Sequence, residues 1–155
     1  HFWLNRVRDD GLVFGYRGEK EPIMPEPLTG KCVCRSVSFT ATTQDVWVCY
    51  CHCNDCKKAT GAPVATYVGI KAADVVFLGT PKKFATSEGV KRAWCPRCGT
   101  PVSYESIRWP DEIHFHIGIF DHPEALVPTG HVYTKEQLPW FRMDDDLEKS
   151  REPGN

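Results

Sequence analysis

The stretch VCYCHCNDCKKATG, residues 48–61, decides how the chain is read. Four cysteines, at 49, 51, 53 and 56, fall within eight residues. Three uses compete for such a run: a disulfide framework, a closed structural metal site, or a metal site with one position left open. The residues leading into it, DVWVCYC (45–51), are β-branched and aromatic and read as a strand, whereas NDCKKATG (54–61) has room for a helical turn or two. The cysteines therefore sit where a strand gives way to a turn.

The other four cysteines come in two pairs, Cys32-Val-Cys34 and Cys95-Pro-Arg-Cys98-Gly99. Clustering of this kind suits metal ligands. Disulfides between cysteines two apart on an extended strand have poor Cβ geometry. A C-x-x-C step followed by Gly makes a tight knuckle, with both sulfurs aimed at one point and a Gly able to take a positive φ. One knuckle supplies two of the four ligands a tetrahedral zinc needs. Cys32 and Cys34, read as alternate residues on a strand, face one side and supply the other two. They lie 61 positions and more before Cys95, so a four-sulfur site would tie the first strand to a later ribbon.

Within the opening stretch, Cys51, Cys53 and Cys56 form C-x-C-x-x-C, enough to wrap a cation with three sulfurs. Cys49 lies a further strand step away, about 6–7 Å, and is read as a buried spare thiol. Three ligands with an open fourth position are the pattern of a catalytic zinc.

The rest of the chain is β in pattern. VCRSVSFTAT (33–42), APVATYVGI (62–70), DVVFLG (74–79), KKFATS (82–87), KRAWC (91–95), PVSYES (101–106), EIHFHIGIF (112–120) and HVYTK (131–135) are short and separated by Gly, Pro and Asp turn signals. KAADV (71–75) can hold one helical turn. The expectation is an all-β domain of stacked antiparallel sheets with zinc-ribbon-like knuckles, spanning 28–147. It would follow an N-terminal extension, 1–27, and precede a polar tail, 148–155. Met24 is read as a natural start, with Trp3, Leu12, Val13, Phe14 and Tyr16 able to form an extra strand. The 155 residues allow one sizeable core. A formal net charge of -1 argues against nucleic acid, and no apolar run approaches the ~20 residues that cross a bilayer. The first residues show no secretory pattern, so the expected compartment is the reducing cytoplasm, where thiols serve as ligands more often than bridges.

These motifs, in this order, resemble the glutathione-dependent formaldehyde-activating enzyme family, which carries the centromere protein V type of domain. The resemblance rests on Gly30-Lys-Cys32-Val-Cys34, Cys51-His-Cys53-Asn-Asp-Cys56, Gly61, Trp94-Cys95-Pro-Arg-Cys98-Gly99-Thr100, Ile119-Phe-Asp121 and Leu138-Pro-Trp140-Phe. It implies a fold shared with Rab-associated zinc chaperones, a structural zinc on Cys32, Cys34, Cys95 and Cys98, and a second zinc on Cys51, Cys53 and Cys56. It also implies addition of glutathione to formaldehyde, giving S-hydroxymethylglutathione. Cys49 and the first 23 residues depart from the pattern.

Three thiolates leave a zinc unit electron-rich, poor at acidifying water and better suited to holding an incoming thiol. Lys57 and Lys58 follow the third ligand and are candidates to steer the carboxylates of glutathione, against the plainer reading of Lys57, Lys58 and Arg97 as solvated charges. Asn54 and Asp55 are expected to cap the short turn. His52 should point away from the metal, and His114 and His116 should share the face opposite Ile113 and Phe115. Tyr104 and Trp140 are expected in the core rather than in a pocket. The competing function is a non-catalytic zinc module that contacts a protein or small ligand, and the open position separates the two. The oligomeric state is not legible.

Overall fold

Strand pattern and turn residues translate into short elements joined by tight connections. A computed structural model describes residues 27–43 and 45–152; the extra strand expected between residues 3 and 16 lies outside them. In chain order the elements are β1 (Leu28–Lys31), β2 (Ser38–Ala41), β3 (Trp47–Cys51), α1 (Asn54–Thr60), β4 (Ala65–Lys71), β5 (Val75–Leu78), β6 (Lys82–Ser87), β7 (Val90–Trp94), β8 (Pro101–Ser106), β9 (Trp109–His116), β10 (Gly130–Val132) and β11 (Glu148–Lys149). Single 3-10 turns cover Ala72–Asp74, Ile117–Ile119, Pro123–Ala125 and Thr134–Glu136. The fold is all-β with stacked sheets, as expected.

The chain divides into two compact units, one from Trp47–Tyr67 and the segment beginning at Val127, the other from the segment up to Val46 and Val68–Leu126. In the second unit, β1, β2 and β5 form a three-stranded antiparallel sheet, and β9, β8, β7 and β6 follow one another in a larger one. The two sheets meet through aromatic rings. Phe39 of β2 stacks on Phe115 of β9 at 4.1 Å between centroids, and Phe120 meets Phe39 edge-on at 5.1 Å. Phe115, Val68, Val102 and Leu28 are fully buried around them. Burial on this scale, about 2 kcal/mol for each large apolar side chain, is what holds strands of four to eight residues in place. At the free edge of the larger sheet, β6 is exposed along its whole length and carries Lys82 and Lys83, charges that discourage further strand pairing.

β9 departs from the alternation read into EIHFHIGIF. Its last four residues, Ile113 to His116, are all buried, and the strand stops at His116, where Ile117–Ile119 turns away. Both histidines are therefore enclosed, as are Ile113 and Phe115. His114 Nε2 lies 2.9 Å from Glu112 Oε2, which supplies the polar partner that burial requires.

In the first unit, β11, β10 and β3 lie side by side, with β10 parallel to both neighbours. The register sets His131 beside Tyr50 and Val132 beside Cys51. β11 falls past residue 147, in the stretch read as a polar tail. Trp140, expected in the core, is 71% exposed.

Candidate metal centres

All eight cysteines are free thiols, which removes the disulfide reading for the described chain. They sort into two clusters and a remainder: Cys32, Cys34, Cys95 and Cys98 in one, and Cys51, Cys53 and Cys56 in the other, the sulfurs of each lying within 4.8 Å of one another.

The four-sulfur cluster is built from two knuckles of the second unit. Cys95-Pro-Arg-Cys98 closes as its motif requires. Gly99 N–H donates to Cys95 O and Cys95 N–H to Thr100 O, both at 2.9 Å, with Gly99 at φ 73°. The partner pair differs from expectation. Cys32 and Cys34 lie in the turn between β1 and β2, not on a strand. Arg35 N–H donates to Cys32 O, Cys32 N–H donates to Val37 O, and Arg35 takes a left-handed φ of 63°. The turn brings the two sulfurs to one point more tightly than a pleated strand would. Thr100 joins the knuckles: its hydroxyl accepts from Val33 N–H at 3.2 Å and lies 3.1 Å from Cys98 Sγ.

Sulfur separations test the fit to a metal. Cys32 and Cys34 are 3.6 Å apart, and Cys34 and Cys95 3.7 Å. A tetrahedron with metal–sulfur bonds of about 2.3 Å has edges of about 3.8 Å. Cys32 also receives a hydrogen bond from Val37 N–H at 3.3 Å. Burial opposes ionisation of Cys32, but this bond and those of the neighbouring sulfurs outweigh it and hold the thiol below its usual value. At Cys98 the Thr100 hydroxyl, then the backbone, bring the thiol down to about 5. The donor set suits a soft divalent cation.

The three-sulfur cluster belongs to the first unit and is local in sequence. Cys51 ends β3, and Cys53 is the N-cap of α1 with its Sγ accepting from Cys56 N–H at 3.3 Å. A thiol thus does the capping expected of Asn54 or Asp55. Gly61 closes the helix at φ 66°, which its missing Cβ permits. Cys51 and Cys56 are buried and Cys53 is half-buried, so the cluster meets solvent at Cys53. The neighbouring thiols of Cys53 and Cys56, then burial, push the Cys51 thiol far up. For Cys53 the bond to Cys51 lowers the value, but Cys56 and burial carry it up to about 11. Packed sulfurs with no counter-charge resist ionisation, and a cation supplies that charge. Cys49 is buried two residues up β3, where burial and then Cys56 raise its thiol. It is not among the three mutually close sulfurs.

The surroundings of α1 revise the reading of the lysines. Lys57 Nζ donates to Glu136 O at 2.5 Å, and Glu136 Oε2 accepts from Asn54 N–H at 2.6 Å. Lys57 is thus tied to the turn at Thr134–Glu136, while Lys58 is exposed. Arg97 is exposed within its knuckle, as read. Tyr104 is half-buried under the Arg92 guanidinium, 5.0 Å from its ring.

His52, between two cluster cysteines, is fully buried, and burial followed by the neighbouring His131 brings its imidazole down to about 4. His52 Nε2 lies 2.9 Å from His131 Nδ1, and His131 Nε2 lies 3.0 and 3.1 Å from the two oxygens of Asp145. Neither His131 nor Asp145 carried a sequence signal. They stand 79 and 93 positions beyond His52; the β10–β3 register brings His131 to it, and Asp145, from the segment before β11, reaches His131.

Comparison with known proteins agrees with this arrangement. The family described as glutathione-dependent formaldehyde-activating enzyme matches residues 27–136. An uncharacterized lyase of Schizosaccharomyces pombe is 26% identical over 81 residues, 52% of this chain and 58% of that protein. The aligned part is thus under two thirds of that relative's length. A crystal structure of a Rhodobacter sphaeroides protein superposes with a TM-score of 0.51 at 15% identity, covering 79% of this chain and 98% of that one, a likeness of fold. Among the described residues, no helix is long and apolar enough to cross a membrane. With a family match over most of its length and both cysteine clusters assembled, the chain belongs to the glutathione-dependent formaldehyde-activating enzyme family.

Proposed function

We propose that the protein is a zinc-dependent carbon–sulfur lyase, or synthase in the reverse sense, joining glutathione or a similar thiol to formaldehyde or a related small aldehyde. The observation that carries this reading is the difference between the clusters: four sulfurs gather at one, three at the other. In this reading Cys32, Cys34, Cys95 and Cys98 hold a structural zinc, and Cys51, Cys53 and Cys56 hold a second one with a coordination position to spare. A zinc bound there supplies a site where a guest thiol loses its proton and stays nucleophilic. The chain's own groups do the rest. Cys53, at the solvent side, lets a guest approach while buried Cys51 and Cys56 keep water from the rear of the site. Lys58, with an exposed amine one residue beyond Lys57, is the better placed of the two to meet a glutathione carboxylate. Lys57 holds α1 to the Glu136 turn. In the synthetic direction a C–S bond forms, the carbonyl π bond breaks, and the thiol's proton ends on oxygen. Free thiols in both clusters suit a reducing compartment, and we place the protein in the cytoplasm.

The test is metal content together with exchange NMR of glutathione, formaldehyde and their adduct. Wild-type protein should bind two zinc ions and speed the interconversion. Cys53→Ala should bind one and lose the acceleration while staying folded. Two bound zinc ions with no acceleration at high protein concentration would favour a non-catalytic zinc module.

A further inference from the structure

The chain of His52, His131 and Asp145 has a direction, and its far end sets it. A carboxylate can only accept, so Nε2 of His131, 3.0 Å from Asp145, carries hydrogen. When both rings are neutral, each has one N–H. Nδ1 of His131 is then the acceptor, and Nε2 of His52, 2.9 Å away, carries hydrogen in turn. Nδ1 of His52 is left with a lone pair, and it has no hydrogen-bond partner in the structure. The two rings are 0% and 1% exposed and stack at 5.2 Å with an angle of 18°. Tyr50 covers His131 at 4.9 Å. On the other side Asp145 accepts from Leu147 N–H at 3.4 Å and has Lys149 Nζ 3.7 Å from an oxygen.

The backbone repeats the connection. His52 N–H donates to Val132 O at 3.0 Å, and Ser150 N–H donates to His131 O at 2.8 Å. The residue between Cys51 and Cys53 is thus pinned to β10 by main chain and by ring, and both pins lead to the segment holding Asp145. Two imidazoles this deeply buried are costly unless their hydrogen bonds agree in direction.

We infer that Asp145 is a positioning residue for the three-sulfur site: through His131 it locks His52 in the Nε2–H tautomer and holds the Cys51–Cys53 turn in the shape that receives a metal ion. The inference rests on the reading that this cluster binds a metal. Replacing the carboxylate by an amide removes the directionality, because an amide both donates and accepts, and the chain can then run either way.

Long-range 1H–15N correlation of the histidine rings in zinc-loaded wild-type protein at pH 8 should show His52 and His131 as neutral Nε2–H tautomers. In Asp145→Asn, His52 should gain an Nδ1–H population. A chromophoric chelator should strip the three-sulfur zinc at least tenfold more readily, the range that loss of an orienting partner produces, while the four-sulfur zinc keeps its affinity. An Nδ1–H or imidazolium form of His131 in the wild type overturns the inference, and that measurement needs no variant. So does an unchanged tautomer, or a change in zinc affinity under threefold, in Asp145→Asn. A wild-type protein that binds one zinc overturns instead the metal reading on which the inference stands, and the zinc count reveals this separately from the ring spectra.

Discussion

Glu136 should control the stability of the helix that carries Cys56 and is capped by Cys53. Helix α1 has seven residues, too short to persist without tertiary anchors. Its first turn has a sulfur cap, Cys53 Sγ to Cys56 N–H at 3.3 Å, and sulfur is a weak acceptor. The stronger anchor is the Glu136 carboxylate, which accepts from Asn54 N–H at 2.6 Å. A hydrogen bond to a charged group contributes about 1.5–3 kcal/mol, and the half-exposed position argues for the lower end. A negative charge at a helix N-terminus adds about 0.3–1 kcal/mol. Glu136→Ala should therefore lower the local opening free energy of α1 by about 2 kcal/mol, a roughly 30-fold rise in the open population. Glu136→Gln keeps an acceptor and loses the charge, so about half the effect should remain. The assay is native-state amide hydrogen exchange at Lys57 and Gly61, whose N–H groups donate to Cys53 O and Lys57 O. Amides of β7 and β8 in the same sample serve as the reference. Exchange at Lys57 and Gly61 that rises under threefold in Glu136→Ala, or that rises equally in β7 and β8, would refute the reasoning.

Three further outcomes follow from local geometry. Gly79 sits at φ 81°, and a Cβ there would fall 2.0 Å from Ser36 O; Ser36 Oγ in turn lies 3.0 Å from Cys34 Sγ and 3.2 Å from Cys95 Sγ. Gly79→Ala should cost at least about 2 kcal/mol in urea denaturation and weaken the four-sulfur site. Gly61→Ala, at φ 66° with nothing within 4 Å of the added carbon, should cost only the left-handed penalty of about 1 kcal/mol; equal costs would contradict the steric argument. Asp121 accepts from Lys31 Nζ at 2.6 Å and Thr29 Oγ1 at 2.8 Å, and these bonds, Lys31 first, hold its carboxyl below the usual range. A depressed carboxylate stabilises the fold above its unfolded value near ~3.9 and loses that contribution as pH falls through the lower folded value. Asp121→Asn should thus be less stable than wild type by up to about 1 kcal/mol at pH 7, a difference that narrows toward pH 2; urea midpoints at both pH values decide it.

Much of the candidate site was legible because its determinants are local. C-P-R-C-G has a single compact solution, and its Gly99 takes the positive φ that solution needs. C-H-C-N-D-C places three sulfurs within one strand end and one helical turn, so their convergence follows from short-range geometry. The pairing of Cys32 and Cys34 with Cys95 and Cys98 was readable for a chemical reason, since two pairs of thiols make up the four ligands a tetrahedral metal site needs, and the four sulfurs do gather. The local shape of Cys32-Val-Cys34 was misread as strand. Alternation cannot distinguish a pleat from a tight turn over three residues, and the hydrogen bond that makes the turn comes from Val37, outside the motif.

Side-chain environment was less legible than backbone type. Alternation put His114 and His116 on the face opposite Ile113 and Phe115 without saying what covers that face; the last four residues of β9 are all buried, and a strand enclosed on both sides has no polar face to reveal. Trp140 was placed in the core by its size and proved exposed, because hydrophobicity states what burial would gain and not whether a neighbour exists to provide it.

By itself, then, the order of residues determined most of the strands, the cysteine motifs and the family, because each motif depends on spacings of a few residues; β1 and β11 carried no strand pattern. The tertiary structure alone decided that β10 runs parallel to β3, that His131 thereby meets His52, the residue between Cys51 and Cys53, and that Asp145 meets His131. No periodicity spans the 79 residues between the two histidines; their meeting depends on strand register, which the packing of the whole unit selects.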